Sequence, residues 1–343
     1  MKRLVVCCDG TWNGLSGKYP TNVRKLRDAV QAMDAQGIKQ AVFYQEGLGT
    51  KWHDLFVGGA FGWGIDENIS EVYRFLCLNY APGDEVYCFG FSRGAYTVRS
   101  LIGLIYCSGL LRPSEISRIP EAYRLYRDRN IRPSNPIAEE FRRKFGDRIS
   151  IKVLGCWDTV GSLGIPDLVP FIPLDQLINR KYQFHDTQLS AIIQNAFHAI
   201  AIDERRKSFV ATHMEPSDKN PNQVIREVWF PGTHGCVGGG TLANQGLSDG
   251  ALQWMVQQVS ALNLAIDPRL SDSLLLNPLL SFDTSLGIFR LAGVQDRDIK
   301  PTDAWHESVQ KRWCDRSDYR PKKLQAALGD KLAKACPAST PAP

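Results

Sequence analysis

The sequence predicts an α/β fold, a mostly parallel sheet with helices on both faces, and three observations carry that prediction. Short apolar runs of strand length alternate with amphipathic stretches of helical spacing. Several of these runs end in glycine-, asparagine- or aspartate-containing loops, where open α/β sheets carry their working groups. Gly90-Phe91-Ser92-Arg93-Gly94 stands between an apolar strand at 86–89 and a helical pattern, with the serine at the apex of a sharp turn. Glycines two residues either side let strand and helix approach while the hydroxyl stands exposed. That is the nucleophile elbow of an α/β-hydrolase, and Ser92 is the candidate nucleophile.

At 343 residues, 43% hydrophobic and 10% aromatic, the chain supports a large core. It reads as one domain: a hydrolase core over about 1–262, a basic helical insertion over about 112–148 after the nucleophile helix, and a C-terminal extension over 263–343 packing on the core. The net charge of +5 is too small to argue nucleic-acid binding. Its location says more, because between Arg112 and Arg148 nine Arg and one Lys stand against six Asp or Glu. This is either a solvated helical insertion or a cationic rim for an anionic substrate or membrane surface. Nine cysteines, an odd count with Cys7 and Cys8 adjacent and no C-x-x-C pair, argue against a disulfide scaffold and a zinc site. Reduced, mostly buried thiols and folding in the cytoplasm are expected. Met1-Lys2-Arg3 leads straight into a strand without a signal-peptide pattern, and no apolar run reaches bilayer-spanning length, so a soluble protein is expected.

Residues 4–8 form a strand that ends in Asp9-Gly10-Thr11-Trp12-Asn13. In hydrolases of this kind one oxyanion-hole donor is the N–H after the nucleophile, here Arg93, and the other comes from an earlier loop, here Gly10 or Thr11. A turn with Asp9 capping the next helix is the alternative. An amphipathic helix at 22–35, a strand at 41–44 and a helix at 65–78 follow. The glycine–aromatic segment at 58–64 lacks G-x-G-x-x-G spacing, so no dinucleotide site, cofactor or metal is expected. Helical patterns at 120–128 and 138–145 lie in the basic insertion. A strand at 149–156 then leads to Trp157-Asp158-Thr159-Val160-Gly161, which places Asp158 to orient a histidine.

The proline-rich stretch at 164–173 reads as an extended loop, either an apolar rim for an acyl chain or a packed loop without substrate contact. Residues 191–202 read as a helix whose His198 is a satisfied core residue. The last clear strand, at 223–230, runs into Pro231-Gly-Thr-His234 and a glycine-rich loop, the setting of a general base. Asp249 reads as the N-cap of a helix running to about 262. The order Ser92, Asp158, His234 is the chain order of α/β-hydrolase triads.

Cys8-Asp-Gly-Thr-Trp-Asn13, Phe89-Gly-Phe-Ser-Arg-Gly-Ala-Tyr96, Trp157-Asp-Thr-Val-Gly161, His198-Ala-Ile-Ala-Ile-Asp-Glu-Arg205 and Phe230-Pro-Gly-Thr-His234 with Gly238-Gly-Gly240 resemble a bacterial family. It is the α/β-hydrolase domain of the type VI secretion phospholipase effectors and their relatives, and His306-Glu-Ser-Val309 with Tyr319-Arg-Pro321 looks like its C-terminal segment. The resemblance implies ester hydrolysis on glycerophospholipids through Ser92, Asp158 and His234. It also implies peripheral contact with an anionic membrane and a secretion-machine or immunity-protein partner, with export by a type VI system. The chain departs from the family at Cys236, where an aspartate is usual, so the base would lean wholly on Asp158. A small-molecule carboxylesterase, a non-catalytic scaffold and, further off, a metallohydrolase on Asp9, Asp158 and His234 stay open as alternatives.

Overall fold

Seven parallel strands run side by side in the order β2-β1-β3-β6-β7-β8-β9. They are β1 (Arg3–Cys8), β2 (Gln40–Gln45), β3 (Glu85–Phe91), β6 (Ile151–Trp157), β7 (Ile193–Ala201), β8 (Val224–Phe230) and β9 (Ala304–Trp305). A separate antiparallel pair joins β4 (Leu110–Leu111) to β5 (Gly146–Asp147). The computed structural model describes residues 1–10, 18–47, 60–161, 188–287, 290 and 293–337.

The core lies on both faces of the sheet. Leu4, Val6, Val86, Cys88 and Leu154 face one layer, while Val5, Cys7, Tyr87, Phe89 and Val153 face the other. Burial on both sides is why these strands are continuous apolar runs without alternation. Helices α2 (Ala60–Asn79) and α3 (Arg93–Ser108) cover the first face, together with α4 (Ile119–Arg127) and α5 (Pro136–Phe145) of the basic insertion. Helices α1 (Asn22–Ala29) and α7 (Gln245–Ser260) cover the second, and α6 (His234–Gly238) is a single short turn. Beyond α8 (Arg269–Asp272), β9, α9 (Glu307–Asp315) and α10 (Lys322–Ala335) build a third cluster, in which Val309, Trp313, Leu324 and Leu328 pack with Ile200, Ile202 and Trp229. Among the described residues no helix is long and apolar enough to cross a membrane.

Connectivity decides where the sheet opens. From β1 the chain crosses to β2 on one side and β3 then lies on the other, so the ends of β1 and β3 diverge into a crevice, the usual ligand position in open α/β sheets. Cys8 pairs with Gly90, which puts Asp9 and Gly10 beside the turn that carries Ser92.

Several elements differ from the sequence expectation. Residues 193–201 form the strand β7, not a helix. From Ala196 to Ala201 it is buried on both faces and, His198 aside, apolar, so no periodicity separates the two. Helix α1 stops at Ala29 because Val30 turns extended and bridges Ile266, while Gln31 donates to the Ala265 carbonyl. Thr21, not Asp9, caps α1, accepting from the Arg24 N–H. Asp249 lies inside α7 and is fully buried, where it pairs with Lys25 and accepts the Leu275 N–H. β9 adds a strand beyond 223–230. The thiols divide: Cys7, Cys8, Cys77, Cys88, Cys107, Cys156 and Cys236 are buried and free, but Cys314 and Cys336 are joined in a disulfide between α9 and the end of α10.

Strands β7 and β8 are also tied through their side chains. His198 faces Glu227 across the register, with Nδ1 2.7 Å from Oε1, and His213 Nδ1 stands 3.0 Å from Oε2. The Thr159 N–H donates to His198 Nε2 at 3.0 Å, so Nδ1 carries the ring proton and donates to the carboxylate. Burial alone would raise the Glu227 pKa, yet the two histidine hydrogen bonds bring it down to about 2. Burial holds the His198 pKa below the usual histidine value, whereas the Glu227 hydrogen bond raises that of His213.

Two expectations follow from this fold. Glu227 has a folded-state pKa below its ordinary 4.5, so its contribution is complete above that pH and lost as the pH falls through about 2. Glu227→Gln should therefore destabilise by about 3 kcal/mol at pH 7, with the gap to wild type closing in acid, as read by urea unfolding across pH. Reducing Cys314–Cys336, which closes a separation of 22 residues, should destabilise the α9–α10 unit by roughly 3 kcal/mol. Thermal melts with and without dithiothreitol, beside a Cys314→Ser/Cys336→Ser variant, would measure that loss.

Candidate active site

The turn after β3 is built by close backbone approach. A Cβ on Gly94 would lie 2.1 Å from the Cys8 carbonyl oxygen, and one on Gly90 would lie 2.5 Å from the Gly94 and Ala95 backbone. Neither position accepts any other residue without moving β1 or α3. Between them Ser92 adopts φ 57 and ψ −120, a sparsely populated conformation that costs a non-glycine residue about 1–3 kcal/mol. The strain is held by the Ser92 N–H, which donates to the Trp157 carbonyl at 3.0 Å, and by the start of α3 at Arg93. Ser92 is only 6% exposed, more enclosed than an open elbow would leave it. Burial lowers the Arg93 guanidinium to about 9.

Asp158 sits one residue past β6, also at positive φ (38°), and is fully buried. Its N–H is held by the Ala199 carbonyl at 2.7 Å. Three donors converge on its carboxylate. The Ala201 N–H reaches Oδ1 at 3.0 Å, while His234 Nδ1 and Arg297 Nη2 reach Oδ2 at 2.6 and 2.8 Å. Burial raises the Asp158 pKa, but the Arg297 charge and the His234 hydrogen bond outweigh it and hold the carboxyl far below the usual range.

His234 opens the one-turn helix α6, where the sequence suggested a glycine loop. Its ring lies between Phe91, 4.6 Å away centroid to centroid, and Phe209 at 5.0 Å. Phe91 is the residue before Ser92, so the imidazole packs directly beside the strained turn. Gly238 makes this packing possible, since a Cβ there would lie 2.0 Å from the Phe91 ring. The His234 N–H donates to Glu204 Oε2 at 3.3 Å, and Glu204 is itself forked by Arg206 at 2.8 and 2.6 Å. Cys236, at the position where the family usually has an acid, is buried beside Thr233, with Sγ and Oγ1 3.4 Å apart, and burial pushes its thiol pKa up.

Of the six residues singled out in the sequence, Asp158 and His234 are brought into direct contact; Ser92 follows Phe91, whose ring packs on His234, and among the described residues no hydrogen bond joins the Ser92 hydroxyl to the imidazole. Arg93 provides the first N–H of α3. The Gly10 N–H donates to Asp9 Oδ1 at 2.7 Å, within its own loop. Thr11 lies outside the described residues, as does the proline-rich stretch at 164–173. Asp9 is buried, accepts from Thr21 and Tyr44 as well, and has its pKa raised by burial to about 6. Sequence reading missed Arg297 and Glu204. Glu204 stands in the segment 198–205 that resembled the family, a signal that was available. Arg297 follows no motif and carried none.

Residues 2–258 match the family described as T6SS, Phospholipase effector Tle1-like, catalytic domain. The Saccharomyces cerevisiae protein YEL023C is 29% identical over 232 residues, covering 61% of this chain and 32% of its own length. Among solved structures, an uncharacterized Pseudomonas aeruginosa protein aligns with TM-score 0.45 and 16% identity over 81% of this chain and 49% of that one. The Tle1 effector bound to the VgrG spike aligns with TM-score 0.38 and 18% identity over 70% and 51%. The carboxylesterase Cest-2923 from Lactobacillus plantarum aligns with TM-score 0.33 and 15% identity over 77% and 86%. The chain thus spans about a third of the yeast relative and about half of the Pseudomonas protein and the Tle1 effector. With the family match running through the sheet from β1 into α7, this chain belongs to the type VI secretion phospholipase effector Tle1-like catalytic domain family.

Proposed function

We propose that this chain is a serine hydrolase of carboxylic esters whose substrates are glycerophospholipids. The observation that carries the reading is the 2.6 Å contact between His234 Nδ1 and Asp158 Oδ2, behind an imidazole packed on the residue next to Ser92. With Nδ1 committed to the carboxylate, Nε2 is the ring nitrogen left for a proton from the serine. His234 takes that proton as Ser92 Oγ attacks the ester carbonyl, and Asp158 fixes the tautomer and stabilises the imidazolium. The Arg93 N–H, at the first position of α3 directly after Ser92, receives the developing oxyanion. The second donor comes from the loop after β1, with Gly10 or Thr11 as the candidate; the Gly10 N–H donates to Asp9 Oδ1. The alcohol leaves with the proton from His234, water attacks the acyl-enzyme, and the fatty acid departs as Ser92 regains its proton.

The lipid substrate and delivery by a type VI secretion system rest on family membership alone. The basic insertion supports an anionic surface as the working place, since Arg124, Arg132, Arg143 and Arg148 are exposed on it.

Hydrolysis of phosphatidylglycerol and phosphatidylethanolamine vesicles, beside short and long p-nitrophenyl esters, tests the reading. Ser92→Ala should leave the fold intact and lower turnover by about 10⁴-fold or more. Asp158→Asn should cost about 10⁴-fold by favouring the wrong tautomer. Serine-independent turnover would overturn the mechanism, and turnover of short esters alone would leave a carboxylesterase in place of a phospholipase. If the insertion serves as a cationic rim, activity on phosphatidylglycerol vesicles should fall several-fold as salt is raised to about 0.5 M. A neutral soluble ester should show no such change.

A further inference from the structure

Arg297 lies outside the segment that matches the family, yet its guanidinium is 2.8 Å from the carboxylate at the centre of the site. Its position is held by a stitched pair of segments. The Gln295 N–H donates to the Arg205 carbonyl, Arg205 pairs with Asp296, Val294 bridges Arg206, and the Lys207 N–H donates to the Gly293 carbonyl. The end of β7 and the turn after it therefore do two things: the Ala201 N–H of β7 binds Asp158 Oδ1, and residues 205–207 hook the C-terminal segment that carries Arg297.

We propose that Arg297 is a positioning residue of the catalytic site, by which the C-terminal extension fixes the Asp158 carboxylate that orients the base. The proposal rests on the triad reading given above.

Charge balance is the first argument. Asp158 and Arg297 have side chains 0% and 4% exposed, so with His234 neutral they form a balanced buried pair. Arg297 Nη2 and His234 Nδ1 reach the same oxygen, Oδ2, at 2.8 and 2.6 Å, so Arg297 fixes the carboxylate in the position that holds the imidazole.

Hydrogen-bond accounting is the second argument. Among the described residues, Arg297 Nε and Nη1 are buried without partners. A residue serving the fold alone would carry this cost with no return, since a buried guanidinium with two idle donors stabilises poorly.

The test compares kcat and KM for a soluble ester in wild type, Arg297→Met and Arg297→Lys, with Ser92→Ala as the control. Arg297→Met should lower kcat about tenfold with KM within about twofold, and Arg297→Lys should recover most of that loss. An unchanged kcat in folded Arg297→Met, or a loss confined to KM, would overturn the proposal. If Arg297→Met fails to fold, Arg297→Gln removes the charge with less change in polarity and must show the same loss of kcat. If neither neutral variant folds, Arg297→Lys decides, because a full loss of kcat with the charge kept would overturn it and a near wild-type kcat would support it. Turnover that survives Ser92→Ala would sink the triad reading itself, and this role with it. A Ser92-dependent wild type whose neutral Arg297 variants keep full kcat would sink only this proposal.

Discussion

The buried carboxylate of Asp158 is the constraint on which the rest of the site depends. A fully desolvated charge is unfavourable unless donors surround it, and here they come from three places far apart in the chain: Ala201, His234 and Arg297. Each must arrive on its own element. β7 brings the Ala201 N–H by lying next to β6, α6 brings His234 beyond β8, and the C-terminal segment brings Arg297. Losing any of the three would leave the charge less compensated in a place water does not reach. The carboxylate therefore works as a fastening point for the carboxyl edge of the sheet as well as a partner for the imidazole.

The strained turn at Ser92 is possible for a related reason. Its conformation persists because the surroundings over-determine it: Gly94 against the Cys8 backbone, the Ser92 N–H on Trp157, and the Phe91 ring wedged between His234 and Gly238. Placing this turn at the switch between β1 and β3 puts it where the sheet itself opens a crevice. The Glu227–His198–Thr159 chain braces the neighbouring turn from beneath, fixing the residue after Asp158 through a hydrogen bond that a neutral imidazole accepts.

Much of this was legible in the sequence where the signal was local. Gly90-Phe-Ser-Arg-Gly94 encodes strand, turn and helix within a few residues, and the glycines are required by contacts less than 3 Å away. The reading failed at 193–201, where a two-sided buried strand and a buried helix share one apolar pattern. It failed again at Asp249, whose cap-like setting was overridden by an ion pair with Lys25 of the neighbouring α1, distant in sequence. The assignment of Gly10 as an oxyanion donor met a local competitor, its own neighbour Asp9.

By itself the sequence determined the α/β class, the order of the working residues and their positions just past strand ends, because strand length, turn chemistry and the elbow glycines act over a few residues. Only the tertiary structure decided which groups share the Asp158 carboxylate. Asp158 and His234 are 76 residues apart and Asp158 and Arg297 are 139 apart, and no local preference links positions so distant. Their meeting depends on strand order and on how the C-terminal segment hooks onto the turn after β7. Those are properties of the packed sheet, where burial makes a missing partner costly enough to select the arrangement.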